Sequence, residues 1–215
     1  MYIVRVNQDV TALALLEIFW TLFMIINYNL LAISGSLRQD SFNTALARAL
    51  SDIAPDGVSI NAITLHNIPH YNADRDGDSP PKGAQELRKA ITASDGLILV
   101  SPEYNYGMPG VLKNALDWAS RPAFASVLKN KPVLIVTATP SPTGGARAHA
   151  QLRETLAGTL SRVVARRQLT IAGVDQKLEG GRLHSPDTIQ FLRDSLINLV
   201  DEIKMVRSVL TYKVQ

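Results

Sequence analysis

Three short stretches of this 215-residue chain gather residue types that could hold a charged, planar ligand. The first is Gly35-Ser36-Leu37-Arg38-Gln39-Asp40-Ser41-Phe42-Asn43. Ser36, Ser41 and Asn43 supply hydroxyl and amide donors, and Arg38 supplies a forked cationic donor suited to phosphate oxygens. A helix starting at Phe42 would add its unpaired N–H groups and the positive end of its dipole at the same point. Read plainly, Ser41 would only cap that helix and Arg38 would face water. The turn is neither a P-loop nor a G-x-G-x-x-G dinucleotide turn, and it suits a terminal monophosphate better than a pyrophosphate. The second stretch, Ser101-Pro102-Glu103-Tyr104-Asn105-Tyr106-Gly107-Met108-Pro109-Gly110, sets two flat tyrosines and an amide on an irregular path held by two prolines and two glycines. A planar heteroaromatic with polar edges would fit such a wall; an ordinary strand–helix connection is the plainer alternative. The third, Thr139-Pro140-Ser141-Pro142-Thr143-Gly144-Gly145, is small and glycine-rich, and could pass close under a ligand or simply turn.

The elements that must position these turns are legible as apolar runs alternating with amphipathic stretches. Strands are predicted at Leu30–Ser34, Val58–Leu65, Gly96–Ser101, Pro132–Ala138 and Gln168–Val174. Helices are predicted at Phe42–Ile53, Lys82–Ser94, Val111–Ser120, Ala146–Leu160 and from Pro186 onward. Strands apolar on both faces, each followed by a helix, imply an α/β three-layer sandwich with a five-stranded parallel sheet in the flavodoxin-like order 2-1-3-4-5. In that topology ligands bind beyond the carboxyl ends of strands 1 and 3, where the first two turns emerge.

Composition narrows the classes. Apolar residues make up 46% and charged residues 19%, enough for a real core. There is no cysteine, which removes disulfides, thiolate metal sites and cysteine nucleophiles, and suits a reducing cytoplasm. A net charge of +3 is too slight and scattered for a nucleic-acid surface.

Together, Gly-Ser-Leu-Arg at 35–38 with Ser41 and Asn43, Pro-Glu-Tyr-Asn-Tyr at 102–106, Leu112-Lys113-Asn114-Ala115-Leu116-Asp117-Trp118, and Gly144-Gly145-Ala146-Arg147 resemble the NADPH-dependent FMN reductases, and within them the bacterial chromate and quinone reductases. The resemblance runs from about Asn29 to near Leu210. It implies that Ser36, Arg38, Ser41 and Asn43 hold the FMN phosphate, with Gly35, Leu37 and Phe42 in the same turn. It implies that Pro102, Glu103, Tyr104 and Asn105 line the isoalloxazine, with Tyr106 and Gly107 beside them and Thr139 and Gly144 contributing from the third turn. Family members often carry serine near Ala138 or Thr139, where this chain has alanine and threonine. The activity implied passes two electrons from NADPH or NADH through FMN to a quinone or similar acceptor, with chromate or azo compounds as side acceptors. The flavin carries the chemistry, so no side chain is assigned as catalytic. A homodimer or homotetramer in the cytoplasm is expected, with small molecules rather than nucleic acid as partners. Two rivals share the fold: a flavodoxin-type electron carrier without nicotinamide turnover, and a flavin-free binding domain.

Other signals are set aside. His66 and His70 are four apart but flank Pro69, so they share no helix face, and no metal is expected. Asp74, Asp76 and Asp78 lack the glycine and distal glutamate of a calcium loop. Arg162, Arg166 and Arg167 suit a helix C-terminus. Trp118 and Leu116 read as core or dimer contact, and no serine sits in a nucleophile elbow. Val10–Ile26 is the most apolar stretch, with Glu17 at its middle. It reads as a membrane anchor, as an added helix packed on the domain or a partner, or as the product of a misplaced start. Initiation at Met24 is the preferred reading, leaving 1–23 as an extension outside the chemistry and 24–215 as one FMN-binding reductase domain.

Overall fold

The computed structural model describes residues 27–212. The apolar stretch at 10–26 and the start proposed at Met24 lie outside them. The first strand, β1 (Tyr28–Ser34), pairs in parallel with β2 (Val58–Ile63) on one side and β3 (Gly96–Ser101) on the other. β4 (Pro132–Thr139) follows β3, giving the order β2-β1-β3-β4 and then the far edge. Each strand alternates its side chains between two apolar layers. Leu30, Ala32, Ile98, Val100, Leu134 and Val136 face one cluster, and Leu31, Ile33, Leu97, Leu99, Val133 and Ile135 face the other. Burial on both faces is what the continuous apolar runs required.

Helix α1 (Phe42–Ala49, continued as a 3-10 turn over Leu50–Ile53) and the long α5 (Pro186–Tyr212) cover the first face. α2 (Lys82–Ala93), α3 (Gly110–Ala119) and α4 (Ala146–Gly158) cover the second. Trp118 of α3 is fully buried, so it belongs to the core. Its indole N–H donates to the Pro69 carbonyl at 2.8 Å. Asn114, one turn earlier, donates to the same carbonyl at 2.9 Å and accepts from the Tyr71 N–H at 2.7 Å. The Asn114-to-Trp118 motif thus fixes the course of the loop after β2.

The far edge departs from the expected single strand at Gln168–Val174. It is filled by two short pieces, β5 (Arg162–Val163) against the start of β4 and β6 (Thr170–Ala172) against its end. Between them the Arg153 guanidinium donates to the Val164 and Arg166 carbonyls, at 3.4 and 3.0 Å. A hairpin of β7 (Leu178–Glu179) and β8 (Arg182–Leu183) follows and packs on α1.

Candidate functional site

The turn after β1 is built by its own hydroxyls. Ser41 stands in extended conformation ahead of α1 and accepts from the Thr44 N–H at 3.3 Å. Helix geometry leaves the Phe42 and Asn43 N–H groups without an intrahelical acceptor. Ser36 is 3% exposed, and its hydroxyl accepts from the Arg38 N–H at 3.3 Å. The Arg38 guanidinium donates to the Asp40 carbonyl at 2.7 Å and lies 5.5 Å over the Phe42 ring, which preorganises it while leaving other N–H donors for an anion. Asn43 is 4% exposed; its amide N–H donates to the Ala138 carbonyl at 3.0 Å, and its Oδ1 is buried without a partner. An orphaned acceptor at the rim of a cleft is costly unless a ligand hydroxyl or N–H completes it.

The turn after β3 is fastened to α4 rather than left loose. The Glu103 carboxylate accepts from the Arg147 N–H at 2.9 Å and the Ala148 N–H at 3.0 Å, capping the first turn of α4. Gln151 Oε1, one turn further along α4, accepts from the Met108 N–H at 2.7 Å. Between these anchors Tyr104 and Gly107 exchange two backbone bonds at 2.9 and 3.0 Å around Asn105 (φ 49°) and Tyr106 (φ 65°). Two successive left-handed residues make this a type I′ turn. It holds Tyr104 and Tyr106 outward, and the Arg147 guanidinium stacks 4.2 Å from the Tyr106 ring.

Both turns open onto one cleft of about 290 Å³ lined by Ser36, Arg38, Ser41, Phe42, Asn43, Pro102, Glu103, Tyr104, Ala138, Thr139 and Pro140. It lies beyond the carboxyl ends of β1, β3 and β4, at the point where the strand order reverses. Ala138 and Pro140 extend the sequence-derived set. Gly35, Leu37, Asn105, Tyr106, Gly107 and Gly144 lie in the same three turns, next to the lining residues. A Cβ on Gly35 would meet the Leu112 side chain at 3.1 Å and the Ser101 hydroxyl at 3.2 Å, so glycine lets β1 leave the sheet close to α3. Thr139 lines the cleft, but its hydroxyl is bonded to Ser141 Oγ at 2.8 Å. The third turn is therefore held together by Thr139, Ser141 and Thr143, whose hydroxyls form a chain.

A monophosphorylated ligand fits this donor set: buried hydroxyls, helix-start N–H groups and an arginine at one end, and a flat wall with a polar edge at the other. Residues 28–176 match the family described as NADPH-dependent FMN reductase. The chain belongs to that family. A 2-hydroxy-1,4-benzoquinone reductase of Burkholderia sp is 39% identical over 160 residues, covering 74% of this chain and 87% of that relative. An NAD(P)H-dependent FMN reductase of Pseudomonas aeruginosa is 44% identical over 126 residues, covering 59% and 68%. Among solved structures, FerB, a flavoenzyme NAD(P)H:(acceptor) oxidoreductase from Paracoccus denitrificans, matches with a TM-score of 0.75 and 30% identity, covering 83% of this chain and 98% of that one. As a member of the FMN reductase family the chain is an oxidoreductase with FMN as cofactor and reduced nicotinamide as co-substrate. The FMN reductase signal was carried in sequence by the serines, Arg38 and the Pro-Glu-Tyr-Asn run. Gln151 and His66 carried none, because their partners are distant in the chain. Among the described residues no helix is long and apolar enough to cross a membrane, and no His, Asp or Glu side chains gather into a group that could hold a metal ion.

Proposed function

We propose that this chain is an FMN-dependent NAD(P)H oxidoreductase that reduces quinones, with the cofactor phosphate at the turn after β1 and its ring at the turn after β3. The observation that carries the reading is the single cleft in which those two turns meet, at the reversal of strand order. Ser36, Ser41, Arg38 and the first N–H groups of α1 would bind and neutralise the phosphate. The backbone from Pro102 to Tyr104 would orient the ring, while Tyr104, about half exposed, leaves its outer face open to a second planar molecule. When bound, FMN supplies hydride acceptance from reduced nicotinamide and two-electron delivery to the acceptor. The side chains hold, orient and screen; Glu103 keeps its carboxylate turned to α4, away from any role as a base.

Quinones are the acceptor class that the relatives' names support, and an open ring face selects flat acceptors more than particular substituents. A cytoplasmic location, where reduced nicotinamide is available and a chain without cysteine is at home, is part of this reading. A homodimer or homotetramer is the proposed assembly, built from one reductase domain over 24–215. The test is steady-state oxidation of NADPH and of NADH by FMN-saturated protein with 1,4-benzoquinone as acceptor. Quinone-dependent turnover with at least one nicotinamide is expected. FMN binding without turnover would favour an electron carrier, and protein that stays colourless with FMN would favour a flavin-free domain.

A further inference from the structure

His66 lies outside the cleft and sits in none of its walls, yet it bonds to the turn that makes the phosphate end. Its Nε2 lies 3.1 Å from the Leu37 carbonyl oxygen and its Nδ1 lies 3.1 Å from the Thr64 hydroxyl. A carbonyl only accepts, so Nε2 must carry the proton; Nδ1 is then free to accept from Thr64. The contact exists because β2 and β1 pair in parallel through Ile33 and Ile63, which brings the residues following both strands to the same rim. Buried Leu65 holds the chain just before His66, and the Asn114 and Trp118 bonds to Pro69 hold it just after.

The consequence follows from peptide planarity. The Leu37–Arg38 peptide is trans, so its C=O and N–H point in opposite directions. With the Leu37 carbonyl tied outward to His66, the Arg38 N–H is aimed inward, where it meets the Ser36 hydroxyl at the cleft wall. The geometry points to His66 as a positioning residue for cofactor phosphate recognition. It holds one peptide so that the Arg38 N–H stays on the Ser36 hydroxyl oxygen, which leaves the Ser36 O–H to donate to the anion. This rests on the FMN reading above. It is particular to the phosphate end, because the two ring hydrogen bonds of His66 go to Leu37 and Thr64 and neither goes to the turn that carries the ring.

Riboflavin lacks only the phosphate, and so separates the two ends. The full chain and its His66→Ala and His66→Gln variants are titrated with FMN and with riboflavin by flavin fluorescence. His66→Ala should weaken FMN by about three- to tenfold, the span for losing one neutral hydrogen bond, while leaving riboflavin unchanged. Glutamine places an amide donor near the position of Nε2, so His66→Gln should restore FMN affinity to within about twofold of the parent. His66 is exposed, so the melting temperature of His66→Ala should fall by no more than about 5 °C and the fold should persist in all three proteins. An unchanged FMN affinity in His66→Ala, or an equal loss for both flavins, overturns the proposal. A parent protein that binds FMN no better than riboflavin overturns the phosphate assignment itself, which the variants then cannot rescue.

Discussion

Removing the Glu103 carboxylate should loosen the ring-lining turn and the start of α4 together. Both bonds it accepts, from the Arg147 and Ala148 N–H groups at 2.9 and 3.0 Å, fall on one oxygen of a side chain only 10% exposed. A hydrogen bond to an ionised group contributes about 1.5–3 kcal/mol, and a carboxylate at a helix start adds about 0.3–1 kcal/mol. These overlap, because the same charge serves both, so Glu103→Ala should cost about 3 kcal/mol of folding stability. Glu103→Gln keeps a neutral acceptor oxygen and should cost about 1 kcal/mol. The nearby Arg147 guanidinium is 57% exposed, 3.9 Å from the carboxylate and stacked on Tyr106, so Arg147→Ala should cost at most about 1 kcal/mol. Urea denaturation of the three variants measures the order, and FMN titration should show Glu103→Ala losing affinity with Arg147→Ala nearly unaffected. Glu103→Ala as stable as the parent, or no more damaging than Arg147→Ala, would refute the view that this carboxylate fastens the turn to the helix.

Arg38→Ala should weaken FMN binding by about 1–3 kcal/mol relative to riboflavin, the loss of a charge-assisted hydrogen bond; equal affinities before and after would move the phosphate elsewhere. His149 is 2% exposed and accepts from the Leu169 N–H through Nε2. Burial, and then the charge of Arg153, lower its pKa from 6.5 to about 4. The unfolded chain therefore binds the proton first as pH falls, and stability should drop between about pH 6.5 and 4 by about 3 kcal/mol from this residue. His149→Gln should flatten that part of the pH–stability curve, and an unaltered slope would mean another group is responsible. Asp95 accepts from the Asn29 N–H at 2.8 Å and from the Arg207 guanidinium at 2.6 Å, joining β1 to α5. Asp95→Ala should lower the urea midpoint by the equivalent of about 1–3 kcal/mol; a midpoint within error of the parent would remove this tie from the account.

The architecture was readable because its signals are local. Runs such as Leu97–Val100 leave no polar face to expose, and Ser41, Pro109 and Pro186 mark helix starts by their own chemistry. The two main turns were readable for the same reason: donors, prolines and tyrosines are written side by side. What escaped depends on partners far apart in sequence. The break between β5 and β6 is spanned by Arg153, which reaches across to Val164 and Arg166. Glu103 was assigned to the ring wall, and it does line the cleft, but its carboxylate is directed by a helix start more than forty positions later. His66 was set aside, because Pro69 separates it from His70, and only the register of β1 against β2 shows which atom it holds.

The direction of β1 has a practical corollary. Tyr28 opens this central strand at the pole opposite the cleft, beside Asp95 and Arg207. Seven residues of extended chain set the two poles about 23 Å apart. Whatever precedes Tyr28 is thus joined on the side away from incoming nicotinamide and quinone. A tag, a surface linker or a tether to an electrode joined directly at Asn27, in place of 1–26, should leave the redox mouth unshaded.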